Sequence, residues 1–430
     1  MWMNETISIT GMGIVSSIGH NIREFNAALK KGISNIGYLE DTSDGAVPGM
    51  VGAPVKWDGV EKTLDQMAKN GICPRQIDKN LYQMLRRGPE PSAWAVIAAL
   101  QAWDQAKITG VPPDRIGIIV AGNNLLPKLS YQLYEKCHQA PEFIPARYAL
   151  NYLDTNLIGM ISETLQIHGE SFCAGATSAS GNIGIIKGYQ MIQLGLIDIC
   201  LVVGAATDLS LLELQAFCQA GAMGGKEYYH SPQLACRPFD RRHDGFIYGQ
   251  AAACLIIESS ENARKRGAAE YGQILGGAVV LDGNHLANPN VNGEKNAITL
   301  ALARAGVTVD QIDYINAHGT ASIVGDETEA QAIEEVFQGQ LEHLWVNSTK
   351  GLTGHCLSSA GVVEAVAVIL QMKENFLHPN LNLDDPISHK INFAGSCSME
   401  KNITYAVSNS FAFGGINSSI VLKKGANIDE

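Results

Sequence analysis

The stretch Gly175–Asn182, "GATSASGN", joins the apolar run "SFCA" to an amphipathic segment with the spacing of a helix. Strand, small-residue turn and helix in this order form the building unit of layered α/β proteins. The plan returns at "VNSTKGLTGH" (346–355), which runs into the apolar, Gly/Ala/Ser-rich segment "SSAGVVEAVAVILQM". A second rhyme links "GMGIVSSIG" near the start with "GQILGGAVVLDGN" after residue 270. The chain therefore reads as an α/β protein of two pseudo-duplicated halves, 1–265 and 266–430. The charged, glycine-containing "ENARKRGAAEYG" marks the change-over.

Strand patterns recur outward from these junctions: "TISITGMG", "RIGIIVAGN", "DICLVVGAA", "AAACLIIE", "QIDYINAHG", "LWVNSTKG", "ITYAVSNSF" and "SSIVLKK". Between them "EPSAWAVIAALQAWDQA" (90–106) and "KNAITLALARAGV" place apolar residues at helical spacing, as sheet-covering helices do. The glycines of "GMGIVSS" (11–17) imitate a dinucleotide fingerprint. One glycine is missing, however, and no acid follows at the expected distance, so a tight strand exit is the better reading.

With 430 residues, 46% of them apolar and only 17% charged, the chain has material for a large core. A net charge of −12 argues against nucleic-acid binding, which needs concentrated Lys and Arg. The nine cysteines form no CxxC pair and several stand in apolar runs, as in a reduced, cytoplasmic protein. No long apolar span or secretory leader stands out, so no membrane association is expected.

Chemistry concentrates in the second half. "DYINAHGTAS" delivers His318 at a strand end, and "VNSTKGLTGH" delivers Lys350 and His355 at another. Two histidines at two strand ends can share a site, or each can satisfy buried backbone groups. "GDETEAQAIEEVF" (325–337) puts acids at the positive end of a helix dipole, which needs no function. The sharper reading turns Glu329 inward to pair with Lys350. "NSFAFGGIN" (409–417) is a glycine loop with two phenylalanines, either a tight turn with core aromatics or an aromatic gate.

Four segments, "CRPFDRRHDGFIYGQ", "NAHGTASIVGDETEAQA", "STKGLTGH" and "SNSFAFGGIN", resemble in order and spacing the β-ketoacyl synthases of the thiolase superfamily. The resemblance covers essentially the whole chain. It implies a thiolase-like fold with a five-layer α-β-α-β-α arrangement, a homodimer, and thioester substrates on acyl carrier protein. No cofactor of the protein's own is implied, because phosphopantetheine arrives on the carrier. Carried over by position, His318 and His355 match the paired active-site histidines, Lys350 the motif lysine and Glu329 its acidic partner. Phe413 matches the gating phenylalanine, whose N–H joins that of residue 178 in an oxyanion hole. Thr320, Phe411, Ala412 and Gly414 are the remaining implied substrate contacts.

Where the family has its nucleophilic cysteine in "T-A-C-A-S-G", this chain has Ser178. Cys173 is the nearest alternative, but it would detach "ASGN" from the pattern. A thiol at a helix N-terminus ionises near neutral pH, whereas an alcohol does not, and Ser178 lacks a hydrolase elbow. Decarboxylation of a malonyl thioester does not need the thiol. It needs donors at the enolate oxygen, and both histidines are retained. The resemblance therefore implies a malonyl-[acyl carrier protein] decarboxylase of the polyketide β-branching type, supplying acetyl carrier to a hydroxymethylglutaryl-synthase-like enzyme. A serine-dependent condensing enzyme and a non-catalytic chain-length-factor-like subunit are the alternatives. His243, Gln250 and Ala412 depart from the family pattern, and the alanine suggests a stiffer gate. Arg75, Lys79, Arg86 and Arg87 offer a basic cluster, either a carrier-docking face or an ordinary solvated helix.

Overall fold

The structure is a computed structural model and describes residues 6–41, 45–73, 76–284 and 288–425; Arg75 lies outside these residues. Eleven strands form the main sheet: β1 (Ile7–Ser16), β2 (Ile116–Ala121), β3 (Ser171–Ala174), β4 (Ile199–Gly204), β5 (Ala251–Ser259), β6 (Gly272–Leu281), β7 (Tyr314–Asn316), β8 (Trp345–Asn347), β9 (Asn392–Phe393), β10 (Tyr405–Ala412) and β11 (Ile416–Lys424). Their order is β9-β8-β7-β10-β11-β6-β1-β5-β4-β2-β3. All the strand patterns read from the sequence are strands; the short edge strand β9 carried no such signal.

The sheet contains the duplication. In the first half β1 pairs antiparallel with β5, β5 antiparallel with β4, and β4, β2 and β3 run parallel. In the second half β6 pairs antiparallel with β11, β11 antiparallel with β10, and β10, β7 and β8 run parallel. The halves join where residues 7–9 of β1 pair with 272–274 of β6.

Five helices make the layers: α1 (Glu90–Ala106), α2 (Ser180–Gln193), α3 (Val291–Ala305), α4 (Ile323–Val336) and α5 (Ala360–Glu374). The helix read at 90–106 has those bounds, and α3 ends at the left-handed Gly306. α1 covers the outer face of the first half in one apolar cluster, and α3 and α4 cover the second half in another. Between the half-sheets, α2 and α5 share a third cluster with Ile185, Ile186, Val362 and Val366. The result is the α-β-α-β-α stack. Every residue of α5 from Ala360 to Met372 is buried, which explains its apolar composition. The glycines of "GMGIVSS" serve this packing: a Cβ on Gly13 would stand 1.9 Å from the Ala98 carbonyl oxygen of α1.

No helix among the described residues is long and apolar enough to cross a membrane. None of the nine cysteines is in a disulfide. Lys79, Arg86 and Arg87 are exposed on the helix Lys79–Arg87, with Arg86 3.3 Å from Glu61.

Candidate active site

The two junctions that rhyme in the sequence meet at the molecular centre. α2 and α5 are entered through the short turns Thr177–Ala179 and Leu357–Ser359, and each turn holds a non-glycine residue at positive φ, Thr177 at 46° and Leu357 at 51°. For β-branched Thr177 this conformation is an outlier that its surroundings must hold in place. Ser180 does so: its Oγ donates to the Thr177 carbonyl at 2.7 Å and accepts from the Ala176 N–H at 2.8 Å. The helices then cross where a Cβ on Gly361 would stand 2.6 Å from the Asn182 nitrogen, and one on Gly181 2.6 Å from the Val362 nitrogen. Only glycines permit that approach. Ser178 is thereby set on the wall of a cavity of about 1180 Å³, which His318, His355, Thr320, Phe411 and Phe413 also line.

His355 is fixed by its own backbone, its N–H donating to Ile247 O at 2.6 Å and its carbonyl accepting from Gly249 N–H at 3.0 Å. Its Nδ1 accepts the Leu357 N–H at 3.3 Å. A neutral imidazole that accepts at Nδ1 carries its proton on Nε2. Nε2–H therefore donates to Ser178 Oγ at 2.9 Å. His318 follows β7 and receives Lys350 Nζ on its carbonyl at 2.5 Å and near Nδ1 at 3.3 Å. That ammonium assigns the same tautomer to His318, with Nε2–H left for the cavity. The two rings lie 5.4 Å apart at 85°. Burial, then the Lys350 charge, holds both imidazoles well below their usual pKa, so both are neutral donors near pH 7.

The expected Glu329–Lys350 pair is corrected by the structure. Lys350, 1% exposed, forms its ion pair with Glu364 of α5. A buried ammonium requires a buried counter-charge, and Glu364 is the one acid in that apolar helix segment. Its position in "SSAGVVEAVAVILQM" was the overlooked signal. Glu329 instead accepts the N–H groups of His318 at 2.8 Å and Gly319 at 2.7 Å, and Asn409 Nδ2 at 3.1 Å. Burial pushes its carboxyl up to about 7 against the pull of those donors. Asp326 holds the next turn through the N–H groups of Thr320 and Ala321, and His243 faces it at 3.3 Å.

Phe413 is 41% exposed, and its carbonyl accepts from Thr177 Oγ1 at 3.4 Å, which ties the glycine loop to the Ser178 turn. Ala412 closes β10 with ordinary strand backbone, so the alanine introduces no strain; positive φ falls on Gly414 and Gly415. Gly415, rather than the expected Gly414, lines the cavity together with Phe411, Ala412 and Phe413. Lys350 stands behind His318 and touches no cavity surface. Cys173 is half-buried in β3, away from the cavity, with its thiol pushed up to about 11 by burial and Asp154. Ser178, not Cys173, is therefore the residue that faces the cavity.

The sequence profile described as "Beta-ketoacyl synthase, N-terminal domain" matches residues 4–263, and that of the C-terminal domain matches 271–384. The chain belongs to the β-ketoacyl synthase family. It is similar to the polyketide biosynthesis malonyl-ACP decarboxylase PksF of Bacillus subtilis, 35% identical over 97% of this chain and 96% of that protein. It is also similar to 3-oxoacyl-[acyl-carrier-protein] synthase 2 of Staphylococcus aureus, 29% identical over 99% of both chains. Among solved structures, a β-ketoacyl synthase from Burkholderia phymatum superposes with a TM-score of 0.83 at 27% identity, covering 98% of this chain and all of that one. The ishigamide ketosynthase/chain length factor gives 0.84 at 25% identity, with 98% and 100% covered.

Proposed function

We propose that the protein removes CO2 from a malonyl thioester on acyl carrier protein and leaves an acetyl thioester. The observation that carries this reading is the direction of the Ser178–His355 hydrogen bond. His355 donates its Nε2–H hydrogen bond to Ser178 Oγ and has no lone pair facing it, so it cannot act as the base that a serine nucleophile requires. The same two Nε2–H groups suit an oxyanion. A thioester oxygen that becomes an enolate as CO2 departs meets two neutral donors in a partly enclosed site, and one such donor is typically worth ~2.7–4 kcal/mol. The phenylalanines Phe411 and Phe413 give the departing carboxylate a weakly solvated wall.

The similarity to PksF supports the same reading. In it, the carrier brings its own phosphopantetheine, the oxyanion hole draws on the N–H groups of residues 178 and 413, and the acetyl carrier serves polyketide β-branching through a hydroxymethylglutaryl-synthase-like enzyme. A cytoplasmic homodimer belongs to the same proposal; β3 ends the sheet as an edge strand, and Tyr134, Phe143 and Leu150 are exposed on the connection between β2 and β3. The test is to incubate the protein with malonyl carrier, with and without an acyl carrier, and follow intact carrier mass. Acetyl carrier is expected. A β-ketoacyl product would establish condensation instead, and an unchanged mass a non-catalytic subunit.

A further inference from the structure

Conversion of a malonyl to an acetyl thioester breaks the C–CO2 bond and leaves its electron pair on an enolate, and one proton must then reach the α-carbon. The two histidines, Lys350 and Ser178 are poor sources. His318 or His355 would have to become an imidazolate, Lys350 is buried in its ion pair with Glu364, and the Ser178 hydroxyl is a weak acid.

Glu294, in the first turns of α3, lines the same cavity as Ser178, His318 and His355. It is 1% exposed, and its Oε2 has no hydrogen-bond partner among the described residues. Three other acids of the cavity wall are occupied. Glu329 accepts three N–H groups, Asp326 accepts those of Phe239, Thr320 and Ala321, and Glu213 closes a capping box with Ser210. When neighbouring carboxyls compete for one proton, it stays where no N–H groups stabilise the anion. Burial, then the charges of Glu329, Asp282 and Asp326, holds the Glu294 carboxyl well above the usual range. Asp282 lies against Gly293, is half-buried, also lines the cavity and has an unpartnered Oδ2. It offers a route by which solvent can reload Glu294.

We propose that Glu294 is the acid that protonates the α-carbon, directly or across one water, an assignment that rests on the decarboxylase reading above. The proton leaves the carboxyl O–H, the enolate pair forms the new C–H bond, and the carboxylate is reprotonated from solvent past Asp282. General acid assistance of this kind contributes ~10²-fold or more.

The test is acetyl-carrier formation from malonyl carrier in equal parts H2O and D2O, with the H:D content of the acetyl group read by mass. That ratio reports the proton donor whether or not proton transfer limits the rate. Glu294→Gln is expected to slow product formation ~10²-fold and to change the ratio, while Glu294→Asp keeps the wild-type ratio. A folded Glu294→Gln that makes no acetyl carrier beside an active Glu294→Asp also supports the assignment. An unchanged ratio in Glu294→Gln, or in Glu294→Ala should the glutamine variant not fold, overturns it whatever the rate. Wild-type protein that releases no CO2 overturns the decarboxylase reading and this assignment with it, whereas active wild type with an insensitive ratio overturns the assignment alone.

Discussion

The turns Thr177–Ala179 and Leu357–Ser359 occupy the same place in the two halves, yet they serve the site differently. Each precedes a central helix and holds a non-glycine residue at positive φ. The first projects Ser178 Oγ to meet His355. The second uses its backbone: the Leu357 N–H sets the tautomer of His355, while Ser358 faces Gly122. Duplication thus supplied two copies of one junction, one presenting a side chain and the other directing a neighbour's proton.

Removing the two imidazole donors, one of them directed by the second turn, should have the largest effect. His355→Ala and His318→Ala are each expected to lower CO2 release 10²- to 10³-fold, the usual cost of one preorganised donor; wild-type rates in both would sink the enolate site. Gly361→Ala attacks the contact that brings the turns together, since its Cβ would stand 2.6 Å from the Asn182 nitrogen. The helices must separate, and a loss of about 3 kcal/mol in denaturant-measured stability is expected.

The first turn should tolerate more. Ser178→Ala removes one neutral hydrogen bond, worth about 0.5–1.5 kcal/mol, so decarboxylation should fall no more than roughly tenfold; complete loss would show that the hydroxyl is required. Ser178→Cys sharpens the contrast. A thiol at that helix head, offered the His355 Nε2–H, should acquire a thioester-linked acyl group visible in the intact protein mass, which the wild-type serine should lack.

The smallest effect concerns pH. Glu294 has a folded pKa raised above that of the unfolded chain. Its contribution to stability is therefore complete below the unfolded value of about 4.3 and is lost as pH rises through the folded value, at up to ~1.36 kcal/mol per unit. Gln cannot ionise. The melting temperature of Glu294→Gln should accordingly gain on wild type as pH rises above the unfolded value, and parallel curves would show that Glu294 is not protonated in the folded protein.

Most of the site was legible because its residues sit at strand ends within fixed spacings: Ser178, His318, Lys350, His355 and Phe413 all fall in or beside the cavity region. Partnerships were less legible. Glu329 and Glu364 lie 21 and 14 residues from Lys350 on different helices, and spacing alone cannot say which faces the ammonium. Glu294 stands just before the helical segment "KNAITLALARAGV", and no sequence pattern sets it apart.

By itself the sequence determined the strand-and-helix alternation, the duplication and the serine in place of a thiol, since these depend on local patterns and on residue identity. Only the tertiary structure decided that Lys350 pairs with Glu364, that His355 donates to Ser178 rather than accepting from it, and that Glu294 faces the cavity with an unpaired oxygen. Protonation and charge pairing depend on which groups meet once water is excluded. Those meetings join residues far apart in the chain, across two halves that touch only in the folded molecule.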